Sequence, residues 1–456
     1  MLDLVIKNAK VVRSSSINLE NIGIKDGKIA VIADPSKTPH AKEVIDIEGK
    51  YLFPGFIDTH AHLNDPGFEW REDYGHGSAA GVLGGYTTII DMPLQNEPAM
   101  TSGKLFDRKE EKVSPNAFAD YCFWGGLVDD NFDQLKGQDD KGVVAFKSFI
   151  GPVSPDYSSL NYGQVYEALE IIKDFDGRAG FHCEDYSIIK AREEYMKKNG
   201  KLEWKDFLNS RPLSAELIAT QAVIEMAREI GCKVHICHIS HPDVAELVAK
   251  AQREGIDVTG ETCSHYLVFN EEDVVENGPL FKCAPPLREE NARVKLWDYV
   301  LDGTLSGIAS DHSPCSYDEK YNEVLGQKIE NVFDVWGGIS GIQSSVAAVL
   351  SEAFKKGYPL EALSKSMAEN PARAFGIYGK KGDIKVGFDA DFVVVDKDIE
   401  WEVKEEDLLY VNKISAFVGL KGKGGPVMTI LRGKLVAKDG KLIGEKGYGR
   451  LVKKIK

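Results

Sequence analysis

Two histidines one residue apart end a short apolar segment early in the chain. His60 and His62 follow Phe56-Ile57, and Asp58 lies two residues before His60. Side chains of a strand alternate between its two faces, so both imidazoles lie on one face and can bind the same metal ion. Because surface polar residues explain a lone His-x-His equally well, the rest of the chain must decide between these interpretations.

Four more polar side chains follow apolar segments later in the chain, namely Lys147, His182, His238 and Asp311. In an α/β barrel, catalytic side chains project from the carboxyl ends of the strands. His235 shares a segment with His238 but faces the opposite side, so we expect His238 to be the ligand and His235 to be packed or to support it. Each residue alone has an ordinary structural explanation, but the ordered set predicts one shared active site.

The elements that must position this set follow two patterns. The first fifty residues predict strands, including a hairpin signal at Asp26-Gly27, and the β pattern returns after about residue 383. Between Phe53 and about Phe375, short apolar runs alternate with helical stretches, which predicts a parallel sheet. The sequence therefore predicts an α/β fold, with a (β/α)8 TIM-type barrel over residues 53–380 and a small discontinuous β-sandwich domain from residues 1–52 and 381–456.

The clearest βα unit lies in the middle of the chain. We expect a helix over 215–230, with Ser214 as its N-cap and Gly231 at its end. A strand over 233–239 and a helix over 242–254 should follow it.

Composition excludes several classes of partner. The 456 residues include 56 basic and 71 acidic side chains, a net charge of −15, so nucleic acid and anionic membranes would repel the chain. With no apolar window near the ~18 residues of a membrane span and no secretory leader, we expect a cytoplasmic protein. Seven scattered cysteines predict reduced thiols.

The ordered set resembles the binuclear metal-dependent amidohydrolases, specifically the cyclic amidohydrolases: allantoinases, hydantoinases, dihydropyrimidinases and dihydroorotases. The resemblance covers essentially the whole chain, and it includes the segments Asn370-Pro371-Ala372-Arg373 and Gly387-Phe388-Asp389-Ala390-Asp391. It implies a small-molecule substrate, a homotetramer and two metal ions. One ion would be bound by His60, His62 and Asp311. The other would be bound by His182 and His238, with Lys147 bridging both as a carbamate formed with carbon dioxide.

The chemistry of these groups agrees with that assignment. A lysine ammonium repels a dication, whereas a carbamate is an anionic ligand able to span two ions. Neutral imidazoles and a carboxylate suit Zn²⁺, with Mn²⁺, Co²⁺ or Fe²⁺ as alternatives. Such ions supply water that ionises near neutral pH, and Asp311 can take its proton and return it to the departing nitrogen. The predicted reaction is ring-opening hydrolysis of a cyclic amide.

Two positions bear on the identity of the ring. Dihydroorotases typically have an arginine that binds the substrate carboxylate where this chain has Asn64. Dihydropyrimidinases and D-hydantoinases tend to have a tyrosine donor where this chain has Pro152, although Tyr157 lies nearby. Both differences disfavour those substrates.

Several motifs resemble allantoinases: 91–94, 123–128, 282–288, 310–314 and 336–341. The resemblance implies hydrolysis of allantoin to allantoate in purine catabolism. This chain has Gln95 and Ser264 where allantoinases usually have asparagine and proline, so an L-hydantoinase-like enzyme or a dihydropyrimidinase remains an alternative. A non-catalytic scaffold of the same fold is a third possibility, disfavoured by the complete ligand set. We expect substrate contacts from Asn96, Ala284, Gly338 and Cys315, and a core position for Trp336.

Overall fold

The N-terminal segment forms five strands before the barrel begins. The computed structural model describes residues 1–153 and 157–455. The strands are β1 (Leu2–Val12), β2 (Ile17–Lys25), β3 (Lys28–Ala33), β4 (Ala41–Asp46) and β5 (Tyr51–Pro54). Asp26 and Gly27 have positive φ angles of 52° and 75° between β2 and β3, as the hairpin signal predicts.

Eight parallel strands, counted over the described residues, form the barrel. They are β6 (Phe56–Ala61), β7 (Tyr86–Asp91), β8 (Asp120–Gly126), β9 (Ala145–Phe149), β10 (Arg178–His182), β11 (Lys233–Ile236), β12 (Val258–Cys263) and β13 (Gly307–Ala309). They pair in chain order, and a parallel bridge between Ala61 and His312 brings the first and last strands together. The predicted barrel is confirmed.

Helices connect the strands and cover the outside of the barrel. They are α1 (Tyr74–Gly84), α2 (Gly103–Val113), α3 (Leu135–Lys141), α4 (Tyr162–Lys173), α5 (Tyr186–Lys198), α6 (Trp204–Ser210), α7 (Leu213–Ile230), α8 (Pro242–Arg253), α9 (Ser264–Val268), α10 (Glu271–Asn277), α11 (Glu290–Leu301), α12 (Tyr317–Tyr321), α13 (Ser345–Lys356), α14 (Leu360–Ser364) and α15 (Asn370–Ala374). Short 3₁₀ turns span Phe132–Gln134, Gly278–Phe281 and Glu405–Asp407, and a π turn spans Lys365–Glu369. Over residues 1–153 and 157–455, no helix combines the length and apolarity needed to cross a membrane.

The middle βα unit differs from its prediction in two details. Ser214 is not the N-cap of α7, because Pro212 occupies the extended cap position and Ser214 lies inside the first turn. Gly231 does end the helix in a left-handed conformation. Strand β11 stops at Ile236, shorter than predicted, and His238 follows with a positive φ of 38°.

Strands from both ends of the chain form one separate sheet. After the small hairpin β14 (Glu323–Val324) and β15 (Gln327–Lys328), the chain adds β16 (Phe392–Glu402), β17 (Lys421–Leu431), β18 (Lys434–Lys438) and β19 (Lys441–Leu442). β16 pairs antiparallel with β5, which joins the two termini in a nine-stranded sheet within the described residues. Ile6, Leu52, Phe392 and Ile430 belong to its own apolar core. The domain boundaries given above remain a prediction.

A buried ionic cluster joins the two units at the amino end of the barrel. Lys381 Nζ lies 2.5 Å from Asp120 Oδ2, at the start of β8, and 2.6 Å from Asp391 Oδ2, just before β16. Arg432 also pairs with Asp120. This cluster is structural, because Lys381 already neutralises the carboxylates between which it lies.

Candidate metal centre and substrate cavity

The polar residues predicted at strand ends meet at the carboxyl end of the barrel. His182 is the last residue of β10 and His60 is the next to last of β6, whereas Lys147 is the middle residue of β9, two positions before its end. His62, His238 and Asp311 follow β6, β11 and β13 by one or two residues. All six line one cavity of about 370 Å³. We call these six residues the ligand cluster.

One half of the ligand cluster converges on Asp311. The Nε2 atoms of His60 and His62 each lie 3.4 Å from Asp311 Oδ1. One donor atom from each residue falls within 4.8 Å of the others, so the three can hold one ion. Asp311 has a positive φ of 41°, which turns the chain just after β13.

The other half pairs two histidines from adjacent strands. His182 Nδ1 lies 3.1 Å from His238 Nε2. The His60 and His238 rings are 5.3 Å apart between centroids, so the two halves are neighbours. Burial, with a smaller effect of the Lys147 charge, lowers the pKa of His60 to about 4 and that of His238 well below its usual value. Both imidazoles are therefore neutral at physiological pH, the form that binds metal.

Lys147 also lies in this cavity, at a buried position. Its side chain is fully buried, and Nζ has no hydrogen-bond acceptor among the described residues. The centroid of the Phe149 ring lies 4.9 Å from Nζ. A buried ammonium without an acceptor is costly, so this site suits a lysine whose amine becomes part of an anionic group.

Two buried carboxylates orient histidines of the ligand cluster. His60 Nδ1 donates to Glu261 Oε1 at 2.7 Å, which leaves Nε2 free on the side of Asp311. His182 Nε2 donates to Glu184 Oε2 at 2.9 Å, which leaves Nδ1 free on the side of His238. Partners of this kind set the tautomer and ring orientation of metal-binding histidines. Sequence reasoning missed both carboxylates.

His235 takes no part in the cavity lining. Its Nδ1 lies 2.8 Å from Thr259 Oγ1, and its Nε2 lies 3.4 Å from Glu261 Oε2. It therefore packs behind the ligand cluster, in contact with the carboxylate that orients His60.

The four expected substrate contacts separate into two pairs. Ala284 and Gly338 line the cavity. Asn96 and Cys315 are buried outside its lining, and Asn96 Oδ1 instead accepts a hydrogen bond of 2.8 Å from the buried Lys109. The neighbour of Asn96, Gln95, lines the cavity and was missed.

Three other positions bear on the sequence arguments. Asn64 is buried outside the cavity lining, and its amide donates to the carbonyl of His62 at 3.3 Å. The Tyr157 hydroxyl donates to the Lys147 carbonyl at 2.6 Å and also lies outside the lining. Trp336 lines the cavity, so its predicted core position is wrong. The Arg71 guanidinium lies 4.1 Å from the centroid of its indole ring.

The remainder of the cavity surface combines apolar and charged side chains. Arg211 and Lys282 supply positive charge, and Glu193 and Asp334 supply negative charge. Arg211 Nη1 lies 2.5 Å from Glu184 and Nη2 lies 3.4 Å from Glu193. With its charges balanced, this surface suits a small, uncharged molecule rich in hydrogen-bonding groups.

Known proteins resemble this chain in both sequence and structure. The model of the Amidohydrolase family matches residues 51–436. An allantoinase from Bacillus licheniformis is 36% identical over 460 residues, with 99% of each chain covered. An allantoinase from Rubrobacter xylanophilus is 38% identical over 443 residues, covering 97% of this chain and 95% of the relative. Among solved structures, an L-hydantoinase (dihydropyrimidinase) from Arthrobacter aurescens has a TM-score of 0.95 at 32% identity, covering 99% of this chain and 100% of the other.

Proposed function

Because the chain belongs to the amidohydrolase family, we propose that it is an allantoinase, which opens the cyclic amide of allantoin (5-ureidohydantoin) to give allantoate in purine catabolism. The observation that carries this proposal is similarity to allantoinases over nearly the whole chain, at 36% and 38% identity. The balanced charges of the cavity surface support it, because the ureido substituent is uncharged.

The donor set of the ligand cluster fits two divalent ions. We assign one ion to His60, His62 and Asp311 and the other to His182 and His238. Lys147 would bridge them as a carbamate, since its buried Nζ has no acceptor within the described chain and a carbamate there would offset the positive charge of the ions. Neutral nitrogen donors with a carboxylate favour Zn²⁺, with Mn²⁺, Co²⁺ or Fe²⁺ as alternatives.

The ions would supply a water that ionises near neutral pH and a positive charge beside the carbonyl oxygen under attack. The side chains of the protein orient the ligands and transfer the proton. Glu261 and Glu184 keep His60 and His182 in the tautomers that present Nε2 and Nδ1. The Asp311 carboxylate accepts the proton of the attacking water and returns it to the departing ring nitrogen. The backbones of Ala284 and Gly338, which also line the cavity, would bind the imide of the ring.

An L-hydantoinase-like activity is the second candidate, favoured by the TM-score of 0.95 with the Arthrobacter enzyme. One panel separates the candidates: purified, metal-loaded protein assayed side by side on allantoin, 5-alkyl and 5-aryl hydantoins, dihydrouracil and dihydroorotate. We expect allantoin to give the largest kcat/KM. A larger value for an alkyl or aryl hydantoin would replace the proposal with the second candidate. Absence of turnover on every substrate by protein containing two ions would favour the non-catalytic scaffold.

The remaining proposals concern metal, assembly and location. We propose that the enzyme contains zinc in the cell, assembles as a homotetramer and is located in the cytoplasm. Metal analysis of protein purified from its native host, sedimentation of the purified protein, and cell fractionation test these three statements separately.

A further inference from the structure

Among the residues that the structure describes, a segment without helix or strand forms the longest continuous part of the cavity lining. It comprises the six consecutive residues from Phe333 to Gly338, which we call the loop wall. Unlike the strand ends that carry the ligand cluster, the loop wall has no ladder of neighbouring strands to set its position. Its contacts with other parts of the chain must therefore do so.

The first of these contacts comes from Lys282. Its Nζ donates to the carbonyl oxygens of Phe333 at 2.9 Å and Val335 at 2.6 Å. Lys282 itself lines the cavity, and only 5% of it is exposed.

The second contact comes from Lys320 in α12. Its Nζ donates to the carbonyl oxygens of Trp336 at 3.0 Å and Gly338 at 2.8 Å, and also to that of Pro279. Lys320 is 3% exposed. The same helix supplies the Glu319 carbonyl, which accepts from the Trp336 amide at 3.0 Å. Two lysines thus bind four of the six carbonyls of the loop wall.

Neither lysine has a carboxylate within ion-pair distance over the described residues, which is unusual for buried ammonium groups. By contrast, the buried Lys109 and Lys381 both contact aspartates. Burial lowers the pKa of Lys282 and Lys320, and the charge of Arg211 lowers that of Lys282 further. Backbone carbonyls and, for Lys282, the Phe207 ring with its centroid 5.0 Å from Nζ offset the desolvation without a carboxylate, so these lysines should contribute little to stability.

Their hydrogen bonds can instead fix the orientation of the backbone in the loop wall. In a trans peptide, a carbonyl and the following N–H point in opposite directions. By binding the carbonyls of Val335, Trp336 and Gly338, the lysines fix the peptide planes of the loop wall, including the plane that carries the N–H of Gly337 in the cavity lining. A ring with amide donors and acceptors would then meet preoriented backbone groups.

We propose that Lys282 and Lys320 are positioning residues that determine substrate affinity by fixing the peptide planes of the loop wall. The inference rests on the proposed function only in requiring that a cyclic amide occupies the cavity. Neither lysine forms a hydrogen bond or ion pair with a residue of the ligand cluster within the described chain, so we treat their role as separate from metal binding.

The test uses Lys282→Met and Lys320→Met in full-length, metal-loaded protein. Lys381→Met is the matched control, because it removes an equally buried lysine at the other end of the barrel. The assay substrate is whichever cyclic amide the wild type hydrolyses fastest, so a failure of the allantoin proposal leaves this comparison intact. Metal content, KM, kcat, melting temperature and hydrogen exchange of the peptide covering 333–338 are measured for each protein.

We expect KM to rise about tenfold in each lysine variant while kcat changes less than about threefold, as for lost binding interactions. Exchange over 333–338 should quicken, and metal content should stay at the wild-type value. Lys381→Met should lower the melting temperature and leave KM unchanged. The proposal is overturned if the lysine variants lose stability as the control does while KM stays within about twofold. If neither methionine variant folds, Lys282→Gln carries the same expectation for KM, since its side chain reaches the cavity surface.

Discussion

The ligand cluster and the loop wall line the same cavity but are positioned by different means. The ligand cluster lies at the ends of hydrogen-bonded parallel strands, and buried carboxylates hold two of its rings. The loop wall is an irregular segment bound through its carbonyls by two lysines. The chemical centre therefore depends on the barrel, whereas substrate recognition depends on a few side chains that can change without disturbing the barrel.

Removing Lys147, the proposed bridge between the two metal ions, should have the largest effect. Lys147→Ala should lose bound metal and reduce kcat/KM by more than the roughly 10- to 100-fold cost of losing an outer partner of a metal ligand. Metal analysis and the allantoin assay on protein made with bicarbonate and divalent metal check this expectation. A variant that keeps both ions and full activity would contradict the bridging role.

Replacing Glu261, which accepts the hydrogen bond of His60, should have a smaller effect than replacing Lys147. Glu261→Gln replaces a charged acceptor with a neutral one, so metal affinity should fall by about 10- to 100-fold. Competition with a chelator measures that affinity. Glu193→Gln is the matched control, because Glu193 contacts Arg211 and no residue of the ligand cluster. Equal affinities in the two variants would show that Glu261 does not support the metal site.

The sequence predicted the barrel and the members of the ligand cluster because strand ends are marked by local patterns. A polar residue after an apolar run is visible within ten residues, and parallel strands bring such ends together. Glu261 carried a signal that was overlooked: a carboxylate inside a buried strand needs a partner. The predicted N-cap at Ser214 is wrong for a local reason: Pro212 takes the N-cap position, so α7 begins at Leu213.

The loop wall could not be predicted from such patterns. Its contacts join residues far apart in sequence, with Lys282 and Val335 separated by 53 positions. Lys282 begins the motif over 282–288, but the motif does not indicate which atoms its ammonium binds, and Lys320 belongs to none of the motifs. At Asn64 a local pattern misleads: an uncharged residue at this position argues against a substrate carboxylate, yet in this chain Asn64 is buried outside the cavity lining.

Two adjacent glycines test the loop wall directly. A Cβ on Gly338 would lie 2.4 Å from Ser313 Oγ and 2.7 Å from the Ser313 carbonyl oxygen, whereas a Cβ on Gly337 would meet no atom within 4 Å in the described structure. Gly338→Ala should displace the loop wall and lower kcat/KM by about tenfold, mainly through KM. Gly337→Ala should stay within about threefold of wild type. Equal losses would mean that occupancy of the cavity, not displacement of the backbone, causes the effect.

The smallest effect should come from Cys315, although it was expected to contact substrate. The thiol is buried outside the cavity lining, and burial raises its pKa to about 11, so it is a neutral, unreactive side chain at physiological pH. Cys315→Ala should reduce the free energy of unfolding by about 1 kcal/mol through the small void it leaves, and kcat/KM should stay within about twofold of wild type. Thermal melts and the allantoin assay measure the two quantities. If activity falls by tenfold or more while stability is unchanged, Cys315 acts on the substrate and belongs with the residues of the cavity, not with the packed core.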